Sequence, residues 1–160
     1  IPVFDIDDVD RIDITVDGAD NVDAQKRLVK GLGGALLREK IVAHFSDVML
    51  VIVDESKISE KLEDFLLPVE IAKFGWKTTL SNLAEQGYGG NIRENQAGDF
   101  FLTDNGNYIV DIRFIGPCEY AESDNNKILA IPGVFETGFF FGLADRIFVG
   151  KKDGEVEIRQ

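Results

Sequence analysis

The sequence predicts an α/β protein: a Rossmann-like parallel-sheet domain carrying an inserted ferredoxin-like α+β domain. Residues 12–16 (Ile-Asp-Ile-Thr-Val) alternate and are rich in β-branched side chains. A helical spacing follows over Leu36, Leu37, Ile41, Val42 and Phe45, and residues 48–53 form a continuous apolar run of strand length. Strand, helix and strand make a βαβ unit, the building block of a parallel sheet. From Pro68 onward the pattern changes to strand, helix, hairpin, helix and strand, the order of a ferredoxin-like unit.

Taken in order, the first strand ends at Asp17-Gly18, a pair suited to a turn because Asp tolerates unusual backbone angles and Gly supplies them. Glycines at 31, 33 and 34 precede the helix, which reads as amphipathic because Arg38, Glu39 and Lys40 fall between its apolar positions. The run Val48-Met49-Leu50-Val51-Ile52-Val53 is typical of a strand covered on both faces. In parallel sheets ligands bind outside the carboxyl ends of the strands, where both the acidic turn and Asp54-Glu55-Ser56-Lys57 lie.

Further on, residues 69–72 read as a short strand and 76–86 as a helix. Gly89-Gly90 then breaks the chain before 92–94, taken as an approach to the hairpin. Residues 99–103 and 108–114 flank Asp104-Asn105-Gly106-Asn107, where Asn-Gly favours the positive φ angles of a tight turn. A helix over 119–130 stops at Pro132-Gly133, and residues 134–141 make one further strand. Residues 146–149 and 155–158 form a hairpin about Lys152-Asp153-Gly154 that returns to the first sheet. The expected division is residues 1–67 plus 142–160 as the α/β domain, with 68–141 inserted.

Composition bounds the function. A chain of 160 residues with 44% hydrophobic content can bury a core as one domain or two small ones. Seventeen basic against 29 acidic residues leave a formal charge of −12, the wrong sign for gripping a nucleic-acid backbone. A small anionic ligand would therefore need local positive charge, which gives each lysine beside a glycine turn more weight. Cys118 is the only cysteine and cannot form an internal disulfide, and no Cys and His cluster has metal-site spacing. A reducing cytoplasm fits best. No apolar run reaches the roughly 18 residues of a membrane span, so neither a membrane nor a metal partner is expected.

Asp17 and Asp20 sit where a pair of carboxylates can bind a polyhydroxylated substrate or take part in proton transfer, although ordinary turn chemistry fits them as well. The stretch Lys30-Gly31-Leu32-Gly33-Gly34 is neither the dinucleotide fingerprint nor a P-loop. It is a plain helix-start loop or a site for an anionic oxygen, which backbone N–H groups and a lysine would hold. Glu39 shares a helix face with Ala35 and Ala43, which leaves room beside it, but a solvated Glu paired with a nearby cation also fits. Lys57 caps or pairs at its loop. His44 lies near the helix C-terminus, where a structural role fits, and without a His-based triad a serine-hydrolase mechanism has no support. Phe139-Phe140-Phe141 and Trp76 read as core or subunit interface.

Together and in order, Asp17-Gly18-Ala19-Asp20, Lys30-Gly31-x-Gly33, Arg38-Glu39-Lys40, Ser56-Lys57, Pro68-Val69-Glu70, Thr103-Asp104-Asn105-Gly106-Asn107 and Ile131-Pro132-Gly133-Val134 resemble type A ribose-5-phosphate isomerase over essentially the whole chain. The resemblance implies a cofactor-free aldose-ketose isomerase of the non-oxidative pentose phosphate pathway. It would interconvert ribose 5-phosphate and ribulose 5-phosphate through an enediolate, as a homodimer or homotetramer. It further implies that Glu39 is the general base and that Asp17, Asp20 and Lys30 are catalytic. Substrate contacts would come from Asp17, Gly18, Ala19, Asp20, Lys30, Gly31, Leu32, Gly33 and Lys57.

Leu32 stands where many family members have a third glycine. Members also carry an N-terminal helix, strand and Gly/Ser/Thr-rich phosphate loop, so this chain is expected to be a C-terminal portion. Two other classes remain open: a sugar-phosphate-sensing module and a non-catalytic assembly subunit. Retention of Glu39 argues for catalysis, because sensing needs no base.

Overall fold

The computed structural model describes residues 2–160. Strand β1 (Ile12–Asp17) ends at the acidic turn, the short strands β2 (Asn21–Val22) and β3 (Leu28–Val29) follow, and the glycine loop leads into helix α1 (Leu36–Phe45). Strand β4 (Ser46–Asp54) starts where that helix ends, and a 3-10 turn over Glu55–Lys57 follows it. Next come β5 (Leu66–Ile71), α2 (Trp76–Glu85), β6 (Gly90–Ile92), β7 (Tyr108–Arg113), α3 (Ala121–Leu129) and β8 (Val134–Thr137). The chain closes with β9 (Phe139–Phe140), β10 (Arg146–Gly150) and β11 (Val156–Arg159).

These strands form three sheets. The first has the order β1-β4-β10-β11, in which β1, β4 and β10 run parallel and β11 returns antiparallel. The βαβ unit and the final hairpin are therefore as the sequence predicts. A second, small sheet joins β2, β3 and β9. The third is antiparallel with the order β6-β7-β5-β8, and it has the ferredoxin-like arrangement.

Three details differ from expectation. The partner of β7 is residues 90–92, not 99–103. With β5 on one edge of β7 and β6 on the other, no edge is left for 99–103, which holds only an isolated bridge from Phe100 to Glu94. The tight turn itself is present, closed by Gly106 N–H donating to the Thr103 carbonyl. Second, β4 is covered on one face only. Met49, Val51 and Val53 are buried, whereas Ile52 is 57% exposed and lies beside the exposed Val16 and Ile14 of β1. Helix α1 packs on the first of these faces, and among the described residues nothing covers the second. Third, the apolar stripe of α1 faces the core only at its start. Leu36 and Ala43 are buried, while Ile41 and Phe45 are exposed along a cleft shared with Ile6, Val9, Leu129 and Phe141. Close approach of the helix to the sheet selects the small Ala43 for its inner side.

The expected single strand over 134–141 is broken at Gly138, and the break joins the two halves of the molecule. Val134–Thr137 pairs with β5, whereas Phe139 and Phe140 pair with β3. Gly138 N–H donates to the Pro68 carbonyl at 2.7 Å, and the Gly138 carbonyl accepts from Lys30 N–H at 2.8 Å. A side chain has no room there, because a Cβ would lie 2.3 Å from the Lys30 carbonyl oxygen and 2.9 Å from Pro68 Cδ. Immediately beyond, successive side chains point to opposite faces as in any strand. Phe139 enters the core built by Leu67, Val69, Leu83, Val110 and Ile128, and Phe140 enters the one built by Leu28, Met49, Val51 and Ile147. Gly138→Ala is expected to lower the unfolding free energy by about 1–3 kcal/mol, the usual range for overpacking, read from the urea midpoint. An unchanged midpoint would show that the crossing tolerates a methyl group.

Candidate active site

The parallel order of β1, β4 and β10 brings their carboxyl ends to one edge of the sheet, and the candidate residues gather there. Asp17 is the last residue of β1, and its side chain accepts the Gly18 N–H at 2.7 Å. Asp20 is held by its own N–H, which donates to the Val29 carbonyl, and its Oδ2 accepts the Leu32 N–H at 3.0 Å. The acidic turn is thus bound directly to the glycine loop.

Lys30 lies at the centre. Its side chain is only 4% exposed, and its ammonium lies 2.9 Å from Asp17 Oδ2 and 3.2 Å from Glu39 Oε2. It also donates to the Gly18 carbonyl at 2.6 Å, and the ring of Phe140 lies beneath it with its centroid 5.4 Å away. After Lys30 the chain turns at Gly31–Gly34, closed by Gly34 N–H donating to the Gly31 carbonyl at 3.0 Å. Gly34 has φ +89°, and a Cβ there would lie 2.5 Å from the Phe101 ring, so only glycine fits. Helix α1 begins directly after this turn. No side chain caps it, so its first N–H groups and its positive dipole end are directed at the loop.

Glu39 sits one turn into α1, and the helix aims its carboxylate at Lys30. Oε2 is buried and close to the ammonium without the alignment of a hydrogen bond. Burial pushes the Glu39 carboxyl above the ordinary glutamate range. Lys30 opposes that rise, and the negative charges of Asp17 and Asp20 add to it. A carboxylate held in this way is a stronger base than a solvated one and remains able to return its proton.

The structure therefore brings Asp17, Asp20, Lys30, Leu32 and Glu39 into one connected cluster. Gly18 and Ala19 line an adjoining hollow of about 580 Å³ with Asp54, Lys57 and Phe148. Lys57 lines this hollow and takes no part in the Lys30 ion pairs. His44 is exposed in the last turn of α1, away from these groups.

Several residues that hold the cluster carry no role in the sequence reading. Arg38 reaches from α1 to the tight turn, donating from Nε to Asn105 Oδ1 and from Nη2 to the Asp104 carbonyl, both at 2.9 Å. The turn in turn wraps a fully buried carboxylate. Glu70 Oε1 accepts from Thr103 Oγ1 at 3.0 Å, Asn105 Nδ2 at 3.0 Å and Asn107 Nδ2 at 2.8 Å. Lys40 ties the other side of α1 to β8, donating to Glu136 Oε1 at 2.6 Å and to the Thr137 carbonyl at 2.9 Å. Burial lowers the Lys40 pKa, and Glu136 opposes that shift. The signal in the sequence was the charged trio at 38–40 itself: Arg38 and Lys40 orient the helix that presents Glu39.

A family model described as ribose 5-phosphate isomerase A (phosphoriboisomerase A) matches residues 1–154. The ribose-5-phosphate isomerase A of Protochlamydia amoebophila is 42% identical over 158 residues, which is 99% of this chain and 68% of that protein. The Thermoplasma volcanium protein of the same name is 49% identical over 144 residues, 89% of this chain and 59% of its own length. Among solved structures, a D-ribose-5-phosphate isomerase in complex with phospho-erythronic acid superposes with a TM-score of 0.90 at 35% identity, covering 100% of this chain and 70% of that one. No helix among the described residues is long and apolar enough to cross a membrane. On the match over nearly its whole length, the chain belongs to the ribose 5-phosphate isomerase A family.

Proposed function

We propose that the protein interconverts D-ribose 5-phosphate and D-ribulose 5-phosphate by proton transfer through an enediolate, with Glu39 as the base. The observation that supports this most directly is the buried Glu39 carboxylate 3.2 Å from the Lys30 ammonium, beside an acidic pair at the sheet's ligand-binding edge. From aldose to ketose, Glu39 takes the proton from C2. The C–H electron pair becomes the C1–C2 double bond, and the carbonyl electrons move onto O1. Lys30 and a free N–H of the glycine loop stabilise that oxyanion. A proton passes from O2 to O1 with Asp17 and Asp20 as its relay, O2 becomes the carbonyl, and Glu39 returns its proton to C1. Every proton is conserved, and neither metal nor cofactor enters the reaction.

Lys57, Gly18 and Ala19 bind the sugar from the hollow they line, and Gly31, Leu32 and Gly33 contact it from the glycine loop. The chain spans about two-thirds of the length of its Protochlamydia relative, and the activity proposed is that of the intact protein. We assign it to the cytoplasm and to a homodimer or homotetramer. Residues 68–141 act as an inserted unit between 1–67 and 142–160.

Glu39→Gln is expected to lower kcat by about 10²–10⁴-fold, the usual contribution of a positioned general base, while substrate binding persists. Exchange of the C2 proton of ribose 5-phosphate with solvent should vanish in parallel. An exchange rate near the wild-type value would remove Glu39 from the mechanism.

The acid limb of kcat/KM reports ionisation of Glu39, which must be deprotonated to act, so the rate rises with pH through its pKa. That limb should lie above the ordinary glutamate range. Because Lys30 lowers the Glu39 pKa and Asp17 raises it, Lys30→Met should move the limb to higher pH and Asp17→Asn to lower pH. Shifts in the opposite directions, measured in pH profiles of the residual activity, would contradict the assignment.

A further inference from the structure

Arg93 projects from the end of β6 in the antiparallel sheet, outside every motif that carries the proposed chemistry, yet it reaches the glycine loop. Its Nη1 donates to the Gly31 carbonyl at 3.0 Å and to the Leu32 carbonyl at 2.9 Å. The guanidinium is anchored behind by a two-pronged pair with Asp111 of β7, Nε to Oδ2 at 2.8 Å and Nη2 to Oδ1. Both side chains are largely buried, at 12% and 20% exposure. The fork geometry is specific to arginine, since a lysine ammonium cannot span two carbonyls while keeping two bonds to a carboxylate.

The consequence follows from peptide geometry. In a trans peptide the C=O and the following N–H point in opposite directions, and the described chain has no cis peptide. With the Gly31 carbonyl turned to Arg93, the Leu32 N–H must point away from it, and it does, donating to Asp20 Oδ2. By the same constraint the Leu32 carbonyl, also on Arg93, turns the Gly33 N–H towards the side where Asp20 lies. That N–H has no hydrogen-bond partner among the described residues, and Gly33 is exposed. A second contact holds the loop from the same sheet. Phe101 packs on Gly34, and the Arg93 guanidinium lies 5.8 Å from the Phe101 ring centre.

We infer that Arg93, held by Asp111, is a positioning residue that fixes the peptide planes of the Lys30–Gly34 loop so that the Gly33 N–H faces the developing oxyanion. The inference rests on the isomerase reading above. It gives the ferredoxin-like sheet a part in the reaction, because a side chain from that sheet sets the direction of a donor in the crevice.

The test uses the intact protein with Arg93→Lys and Asp111→Asn, which loosen the fork from either end. Both variants should lose about tenfold or more in kcat, in keeping with the cost of small misplacements, with KM for ribose 5-phosphate within about threefold. Affinity for phospho-erythronic acid should fall in proportion to kcat/KM, and amide hydrogen exchange should quicken in residues 31–34 while β5 and β7 stay protected. A role confined to stability would instead lower the melting temperature and leave the rate per folded molecule unchanged.

The inference is overturned if kcat in the folded variants stays within about twofold of wild type, or if exchange in the loop is unchanged. Should Arg93→Lys fail to fold, Asp111→Asn, which retains the guanidinium, carries the same comparison. A wild-type protein that does not isomerise the sugar would sink the functional reading alone. Loop exchange would then still decide whether Arg93 holds the loop.

Discussion

A lysine ammonium buried between two carboxylates is the interaction on which the rest of the structure depends. Asp17 and Glu39 come from different elements, one at a strand end and one inside a helix, and without Lys30 their charges would repel across a partly dry space. Burial of a cation is costly unless it is fully engaged, and Lys30 is engaged at every level: its ammonium by two carboxylates and the Gly18 carbonyl, its N–H by Gly138. The same arrangement that makes the cluster stable leaves Glu39 incompletely satisfied. Its Oε2 is near the cation but not aligned with it, so the carboxylate is confined and keeps an oxygen free to accept a proton.

Around that centre the molecule works as a set of brackets. Helix α1 carries Glu39, and its neighbours in sequence fasten it at both flanks, Arg38 to the 104–105 turn and Lys40 to β8. Both anchors belong to the stretch inserted between the two parts of the parallel sheet. The turn that receives Arg38 is itself organised by Glu70, a fully buried carboxylate whose one oxygen gathers three donors. A polar network of this kind specifies one arrangement of its loop, because any other would leave the buried carboxylate without partners. Helix α1, which packs on the parallel sheet, is thus also fastened from the antiparallel one, and Glu39 is held between the two.

Much of this was legible in the residues, and what was not has physical reasons. The strand at 12–17, the helix at 36–45 and the strand at 46–54 follow from local periodicity, and the sites on them follow from the rule that ligands gather at the carboxyl ends of parallel strands. The role of 90–92 was hidden because three residues, two of them polar or glycine, give no alternation to read, whereas 99–103 next to a good turn looked like a strand. Edge availability decided between them, and that is a property of the sheet. The break at Gly138 is marked in the sequence only by the glycine itself, set between strand-forming residues on both sides, and the approach of Lys30 and Pro68 shows why it stands there. Spacing could bring Asp17 and Asp20 together. It could not show that Lys30 would point at Glu39, or that Arg93, some sixty positions along the chain, would hold the loop between them.

The adjacent pair Phe139 and Phe140 has a consequence for how the protein comes apart. Each ring is almost fully buried, and the two belong to separate apolar clusters. A single peptide bond joins them, and Gly138 just before it is bonded to both Pro68 and Lys30. Opening either cluster releases its phenylalanine, displaces the shared backbone and withdraws a large side chain from the other. The two cores are therefore coupled at this bond, and local opening of one there disturbs the other. Lys30, which joins Asp17 to Glu39, is bonded through its own N–H to Gly138, so the spacing of these groups rides on the same joint.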